Sequence, residues 1–156
     1  MKKTIPSQFT HLIALAGAAW LFCSPTMAPA ADSATAKALP GRWRGARFDS
    51  GSGENPDKGV KLEVSFTGNH VKGLRLPQGD IGDGEFTLAA DGRSIDAVGT
   101  SKNFKGNTYL GILKIEGDTL YWCTTAGGGK TQKRPDSFVA NPAQHTYLIV
   151  VKRQRP

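Results

Sequence analysis

The stretch that decides the fold, TYLGILKIEGDTLYWCTTAGGGKTQKRPDSF, runs from Thr108 to Phe138. Its first part alternates apolar and polar residues up to Gly117-Asp118, and a second run, rich in β-branched and aromatic residues, covers Thr119 to Thr124. A Gly-Asp pair between two such runs predicts a tight hairpin, because glycine accepts the positive φ that a primed two-residue turn requires. The stretch therefore indicates two antiparallel strands followed by a long connection.

Outward from this hairpin, the chain shows short apolar runs separated by turn residues, and no helical period. Besides the 108–124 hairpin, the predicted strands are residues 39–48, 60–67, 70–76, 84–90, 93–100 and 147–153. Short strands at this spacing are typical of an antiparallel sandwich or barrel of about eight strands. Closure into a barrel has the advantage that it removes exposed strand edges.

The first thirty residues have the pattern of a cleavable signal peptide. Lys2 and Lys3 precede an apolar run, Leu12 to Cys23, and Ala28-Pro29-Ala30 supplies a small-x-small cleavage pattern. A membrane span needs about 20 apolar residues, so this run predicts export rather than a transmembrane helix. We expect a signal peptide at 1–30, a flexible lead-in at 31–38, a domain at 39–156, and a periplasmic or secreted product.

The charge of the chain is moderately positive. It carries 20 basic and 13 acidic side chains, a net charge of +7, and removal of Lys2 and Lys3 lowers this to +5. Such an excess of positive charge is compatible with binding to an anionic partner. It is equally typical of a basic surface that contacts only solvent. The basic residues are not interleaved with stacking aromatics, so we expect no nucleic-acid partner.

Cleavage of the first thirty residues leaves Cys123 as the only cysteine, so no intramolecular disulfide is expected. Cys123 lies in the middle of a predicted strand, where a thiol usually behaves as a small buried hydrophobe. The alternative is a reactive thiol activated by His70 or His145.

A set of motifs resembles an uncharacterised bacterial family of small lipocalin-like domains that is numerous in planctomycetes. The set consists of a Gly-x-Trp start, a Gly-Asp-Thr-Leu hairpin, a following cysteine, an Arg-Pro-x-x-Phe segment and a closing Lys-Arg strand. The residues that carry it are Gly41, Trp43, Gly117, Asp118, Cys123, Pro135, Phe138 and Arg153. The resemblance implies an all-β, antiparallel, up-and-down, lipocalin-like barrel of about eight strands and an exported setting. The family has no established activity that the resemblance could assign to this chain. The sequence departs from the family pattern at residues 127–133 and at residues 79–84.

Two of these motifs have an expected structural role. Trp43 is expected to plug one end of the barrel, with Lys152, Arg153 or Arg134 stacked over its ring. The Arg134–Phe138 segment is expected to form a strap, in which the arginine caps carbonyls or a carboxylate such as Asp118. The functional alternative is that Arg134 recognises an anionic ligand group at the barrel mouth.

The chain has no nucleophile elbow, no zinc-protease helix and no Walker loop, so we expect no enzyme activity. Asp80, Asp83 and Glu85 lie in a segment too short and irregular for a calcium loop, and we expect neither a metal nor another cofactor.

Two functions are compatible with this pattern. The first is binding of a small apolar or amphipathic ligand inside the barrel. The candidate ligand-binding residues are Val64, Phe66, Leu113, Trp122 and Arg134. The alternative is an envelope interaction module, an inhibitor or immunity-type factor that contacts a partner protein through the 125–145 loop. The sequence leaves the ligand, the partner and the oligomeric state open.

Overall fold

The computed structural model describes residues 33–51, 61–76, 79–101, 104–127 and 132–155. Eight antiparallel strands form a closed barrel in sequence order, which confirms the predicted up-and-down fold. The strands are β1 (Gly41–Asp49), β2 (Lys61–Thr67), β3 (His70–Leu76), β4 (Gly79–Leu88), β5 (Ser94–Gly99), β6 (Thr108–Glu116), β7 (Thr119–Thr125) and β8 (Thr146–Arg153). Within these ranges no helix has the length and apolar character needed to cross a membrane.

A short helix, α1 (Ala34–Ala38), precedes the barrel where a flexible lead-in was expected. Ser33 caps it by accepting a hydrogen bond from the Ala36 amide at 3.0 Å. Five residues are too few to give a helical period in the sequence, which is why the pattern did not reveal it. The predicted signal peptide lies outside the described residues and stays a prediction.

The central hairpin forms as predicted. Glu116 pairs with Thr119, and Gly117 has a φ of 58°, so two residues make the turn. Asp118 does not contact Arg134. Its carbonyl accepts from the Arg153 amide at 2.8 Å, and its carboxylate accepts from Arg155 at 2.5 Å, so the turn is fastened to the last strand.

Strand alternation divides the side chains between an inner and an outer face. Val64, Phe66 and Leu113 point inward and are at most 2% exposed. Trp122 also points inward and packs on Phe66, whereas Tyr121 lies outside against Phe138. The period of two therefore makes Trp122, not Tyr121, the residue that faces the interior.

Trp43 fills the end of the barrel at which the chain enters and leaves. It is fully buried, and its indole N–H donates to the Leu39 carbonyl at 3.0 Å. The Arg153 guanidinium lies 4.1 Å from the centre of its ring and also donates to the Pro40 and Ala38 carbonyls. Of the three cations considered for this position, Arg153 is the one stacked on the ring.

We expect Trp43→Ala to lower the free energy of unfolding by about 3–5 kcal/mol, because it removes a fully buried aromatic ring. Trp43→Phe keeps most of the ring but loses the N–H donor, so its cost should be smaller, about 1 kcal/mol for the bond plus some packing loss. Urea unfolding of both variants measures the difference. Val139→Ala is the control, because Val139 is 66% exposed. An unchanged urea midpoint for Trp43→Ala would contradict the role of Trp43 in filling this end of the barrel.

Candidate functional site

The two ends of the barrel differ in how they are filled. Trp43 and its neighbours occupy the end that contains both termini of the barrel. Toward the opposite end, where the β1–β2, β3–β4, β5–β6 and β7–β8 connections lie, the described residues line a partly open cavity of about 300 Å³. Eight strands leave an interior just wide enough for side chains or one small ligand, so the inward residues decide which of these occurs.

One wall of the cavity is rich in glycine. Gly73, Gly82, Gly84 and Gly99 line it from the three neighbouring strands β3, β4 and β5. They face one another across the sheet, with Gly73 opposite Gly82 and Gly84 opposite Gly99. Because glycine contributes no side chain to the interior, this wall leaves the volume unfilled.

The glycine wall also lets the β5–β6 connection come close. A methyl group at Gly82 would lie 3.2 Å from the Phe104 ring, and one at Gly99 would overlap the Phe104 carbonyl oxygen. Phe104 therefore rests against bare backbone of β4 and β5 and contributes its ring to the cavity lining.

The other side of the cavity is aromatic. Phe48 from β1, Trp122 from β7 and Tyr147 from β8 line it, and these strands lie across a closed eight-stranded barrel from β3, β4 and β5. Phe48 and Tyr147 are stacked with their ring centres 5.1 Å apart. Tyr109 from β6 completes this side, and the backbone at Gly127 lies directly on its ring.

Trp122 carries a buried polar atom without a partner in the described part of the chain, its indole Nε1. A methyl group at Gly111 would lie 2.7 Å from this atom, so the glycine makes room for the indole. A buried N–H that lacks a hydrogen bond costs about 1–3 kcal/mol. The position of this ring is therefore set by the shape of the interior and not by hydrogen bonding.

The predicted ligand-binding residues separate into three groups. Val64 and Trp122 line the cavity. Phe66 and Leu113 point inward but belong to the packed part of the core, where Phe66 meets the Phe86 ring at 5.3 Å. Arg134 lies on the outer face of the barrel.

Arg134 is committed to the barrel wall. Its guanidinium donates to the Ile95 carbonyl at 2.9 Å, to the Gly111 carbonyl at 2.6 Å and to the Asp96 carboxylate at 2.5 Å. These contacts correspond to the carbonyl-capping role, with Asp96 in place of Asp118. A guanidinium occupied by three acceptors on the outer face does not serve as an anion site for the interior.

The segment after Arg134 covers the outer face of β6, β7 and β8. Phe138 and Ala140 pack there with Ile112, Cys123 and Leu148 as a second apolar cluster. Lys114 extends over the Phe138 ring at 5.1 Å. The long connection is thus a strap packed on the outside of the barrel.

Cys123 lies beneath this strap. Its Sγ is 3.7 Å from the Val139 carbonyl, and burial raises the pKa of the thiol above its ordinary value. The other groups that act on it are Thr146 and Asp136, neither of which is a histidine. His70 is exposed on β3, with its Nε2 4.0 Å from a Glu85 oxygen. The surroundings of Cys123 are therefore those of an inert thiol.

Most of the cavity lining lies outside the predicted set of residues. The sequence pattern leaves residues 79–84 irregular, whereas β4 begins at Gly79 and pairs with β3 across a register shift. The available signal was the alternation of Gly82 and Gly84 within an extended segment. In the parts of the chain that the structure describes, no three His, Cys, Asp or Glu side chains converge as a metal site would require.

The chain matched no protein-family model, no curated protein and no solved structure when it was compared with them. The geometry of the cavity therefore carries the functional argument.

We expect Arg134→Met to lower the free energy of unfolding by about 1.5–3 kcal/mol, the usual value of a hydrogen bond from a charged group, because it leaves two partly buried carbonyls without their donor. Arg134→Lys should recover only part of this, since one ammonium group does not reproduce the planar fork. Urea unfolding is the measurement, and Lys133→Met, at an exposed neighbour, is the matched control. Equal midpoints for Arg134→Met and Lys133→Met would show that the strap needs no anchor.

We expect the Cys123 thiol of the folded protein to resist iodoacetamide at a pH where an ordinary thiol has begun to ionise. The reason is that burial raises its pKa and keeps it protonated. Mass spectrometry of alkylated samples with and without urea measures this, and the urea-unfolded protein is the control. Alkylation at equal rates in both samples would contradict the buried position.

Proposed function

We propose that this chain is an exported, non-enzymatic, lipocalin-like barrel that binds a small apolar or amphipathic ligand in its interior. The observation that carries the proposal is the cavity of about 300 Å³. It lies between the glycine wall and the side formed by the rings of Phe48, Trp122 and Tyr147. A natural barrel that needed only stability would gain from filling such a volume with side chains. Phe48, Val64, Trp122 and Tyr147 are the proposed contact residues.

The size of the cavity limits the size of the ligand. An apolar cavity of about 150 Å³ accepts benzene, and ligand pockets usually begin at about 300 Å³. The proposed ligand therefore has roughly 10–15 non-hydrogen atoms, about twice the size of benzene. A long-chain lipid would extend beyond this volume.

The proposed export and family membership rest on the sequence. The supporting features are the signal-peptide pattern of residues 1–30, the Gly-x-Trp start at Gly41 and Trp43, and the closing strand with Arg153. The barrel order and the contact between Trp43 and Arg153 are compatible with a lipocalin-like domain.

The alternative, an interaction module that uses the 125–145 loop, has one observation in its favour. Val139 is 66% exposed on that loop and would be covered by a partner protein, although a single exposed apolar side chain is also normal on a protein surface. However, Arg134, Phe138 and Ala140 of the same loop are already engaged with the barrel. We therefore prefer the ligand-binding function.

Native mass spectrometry of the protein purified gently from its own cells tests the proposal. We expect a reproducible extra mass that disappears when the protein is denatured. A protein partner retained in place of a small ligand would instead favour the interaction module.

We expect Ala97→Leu to abolish this extra mass, because Ala97 is buried and its side chain faces the cavity. The larger side chain fills part of the volume that the ligand needs. Ala89→Leu is the matched control, since Ala89 is exposed in the β4–β5 turn. Retention of the same ligand by a folded Ala97→Leu variant would exclude the cavity as its site.

A further inference from the structure

We infer that the ligand of this cavity is an uncharged, planar aromatic compound that carries a hydroxyl or carbonyl group. This inference rests on the proposed function and names the chemical class of the ligand. Three properties of the described lining carry it: the absence of an inward charge, the aromatic rings that face a glycine-rich wall, and the presence of two tyrosine hydroxyls.

The first property is charge. Among the lining residues that the structure describes, Asp83 is the one that carries a charge at neutral pH, and its side chain points away from the interior because it alternates with Gly82 and Gly84. Its carboxylate lies 4.0 Å from Lys72 Nζ on the outer face. An ion buried against these described lining residues would thus have no counter-ion among them, and burying an unpaired charge is very costly. This argues against carboxylate ligands and amines alike.

The second property is shape. The rings of Phe48, Tyr147 and Trp122 line one side, and glycine-rich backbone of β3, β4 and β5 lies across from them. The Phe104 ring rests on that backbone at Gly82. Aromatic rings favour offset-stacked or edge-to-face partners, so a flat ring system fits between these walls better than a bulky saturated one.

The third property is hydrogen bonding. Tyr109 and Tyr147 line the cavity, and neither hydroxyl group is hydrogen-bonded to another residue in the described ranges. A phenolic hydroxyl both donates and accepts, so each can pair with a ligand hydroxyl or carbonyl. These groups give an otherwise apolar site a way to orient its ligand.

A series of two-ring probes of similar size tests the inference by calorimetric titration of the purified protein. The probes are 2-naphthol, 2-naphthoate, 2-naphthylmethylammonium and decahydro-2-naphthol. At neutral pH we expect 2-naphthol to bind, and both ions to bind at least about a hundredfold more weakly because their charge would be buried without a partner. The saturated decahydro-2-naphthol should bind more weakly than 2-naphthol.

The probe results separate the inference from the proposed function. If 2-naphthoate or 2-naphthylmethylammonium binds as tightly as 2-naphthol, the ligand need not be uncharged and the inference is wrong, while the cavity remains a ligand site. If decahydro-2-naphthol binds equally well, the planar class is wrong. If no probe binds and native mass spectrometry finds no small ligand, the proposed function itself fails.

One double variant tests the role of the hydroxyls. Tyr109→Phe and Tyr147→Phe together keep both rings and remove both hydroxyl groups. We expect the preference of the wild-type protein for 2-naphthol over naphthalene to fall by about three- to tenfold, the usual effect of losing one neutral hydrogen bond. Naphthalene itself should bind the double variant as before, which reports that the cavity is intact. If the double variant kept the full preference for 2-naphthol over naphthalene, the two tyrosine hydroxyls would not be the groups that bind the ligand hydroxyl.

Discussion

The rest of the barrel depends on the contact between Trp43 and Arg153, which joins its first strand to its last. The two residues are register partners across β1 and β8, and the guanidinium lies over the indole ring. Arg153 also donates to carbonyls of the segment before β1, which draws α1 against this end. The stack therefore reinforces the β1–β8 pairing that closes the sheet, and it fills the end where both termini of the barrel lie.

Filling one end tightly permits the other end to remain unfilled. The core around Trp43, Leu62 and Leu120 is fully buried and supplies the apolar contact that a domain without a disulfide needs. Toward the opposite end, glycine replaces side chains on three adjacent strands, and a cavity results. The division explains why Phe66 and Leu113, although inward, are packing residues, whereas Val64 and Trp122 face the cavity.

Sequence patterns predicted the strands well because each has a period of two and ends at a turn residue. The Gly117-Asp118 hairpin is the clearest case, since both the turn and its flanking runs are local. The cavity was less accessible because it depends on which strands face one another after closure. Gly82 and Gly84 read locally as turn formers, and only their pairing with β3 and β5 reveals a wall. Likewise, Arg134 has acceptors 39 and 23 residues away, which no local pattern indicates.

The strap outside the barrel covers strands whose inner faces line the cavity. A cavity removes apolar contact from the inner faces of β6, β7 and β8, which lowers the stability of that region. Ile112, Cys123 and Leu148 on the outer faces of the same strands are buried by Phe138 and Ala140, which restores burial there. Arg134 holds the start of this cover by binding two strands at once. The long connection thus packs on the outside of strands whose inner faces line the cavity, and it fastens the barrel wall there.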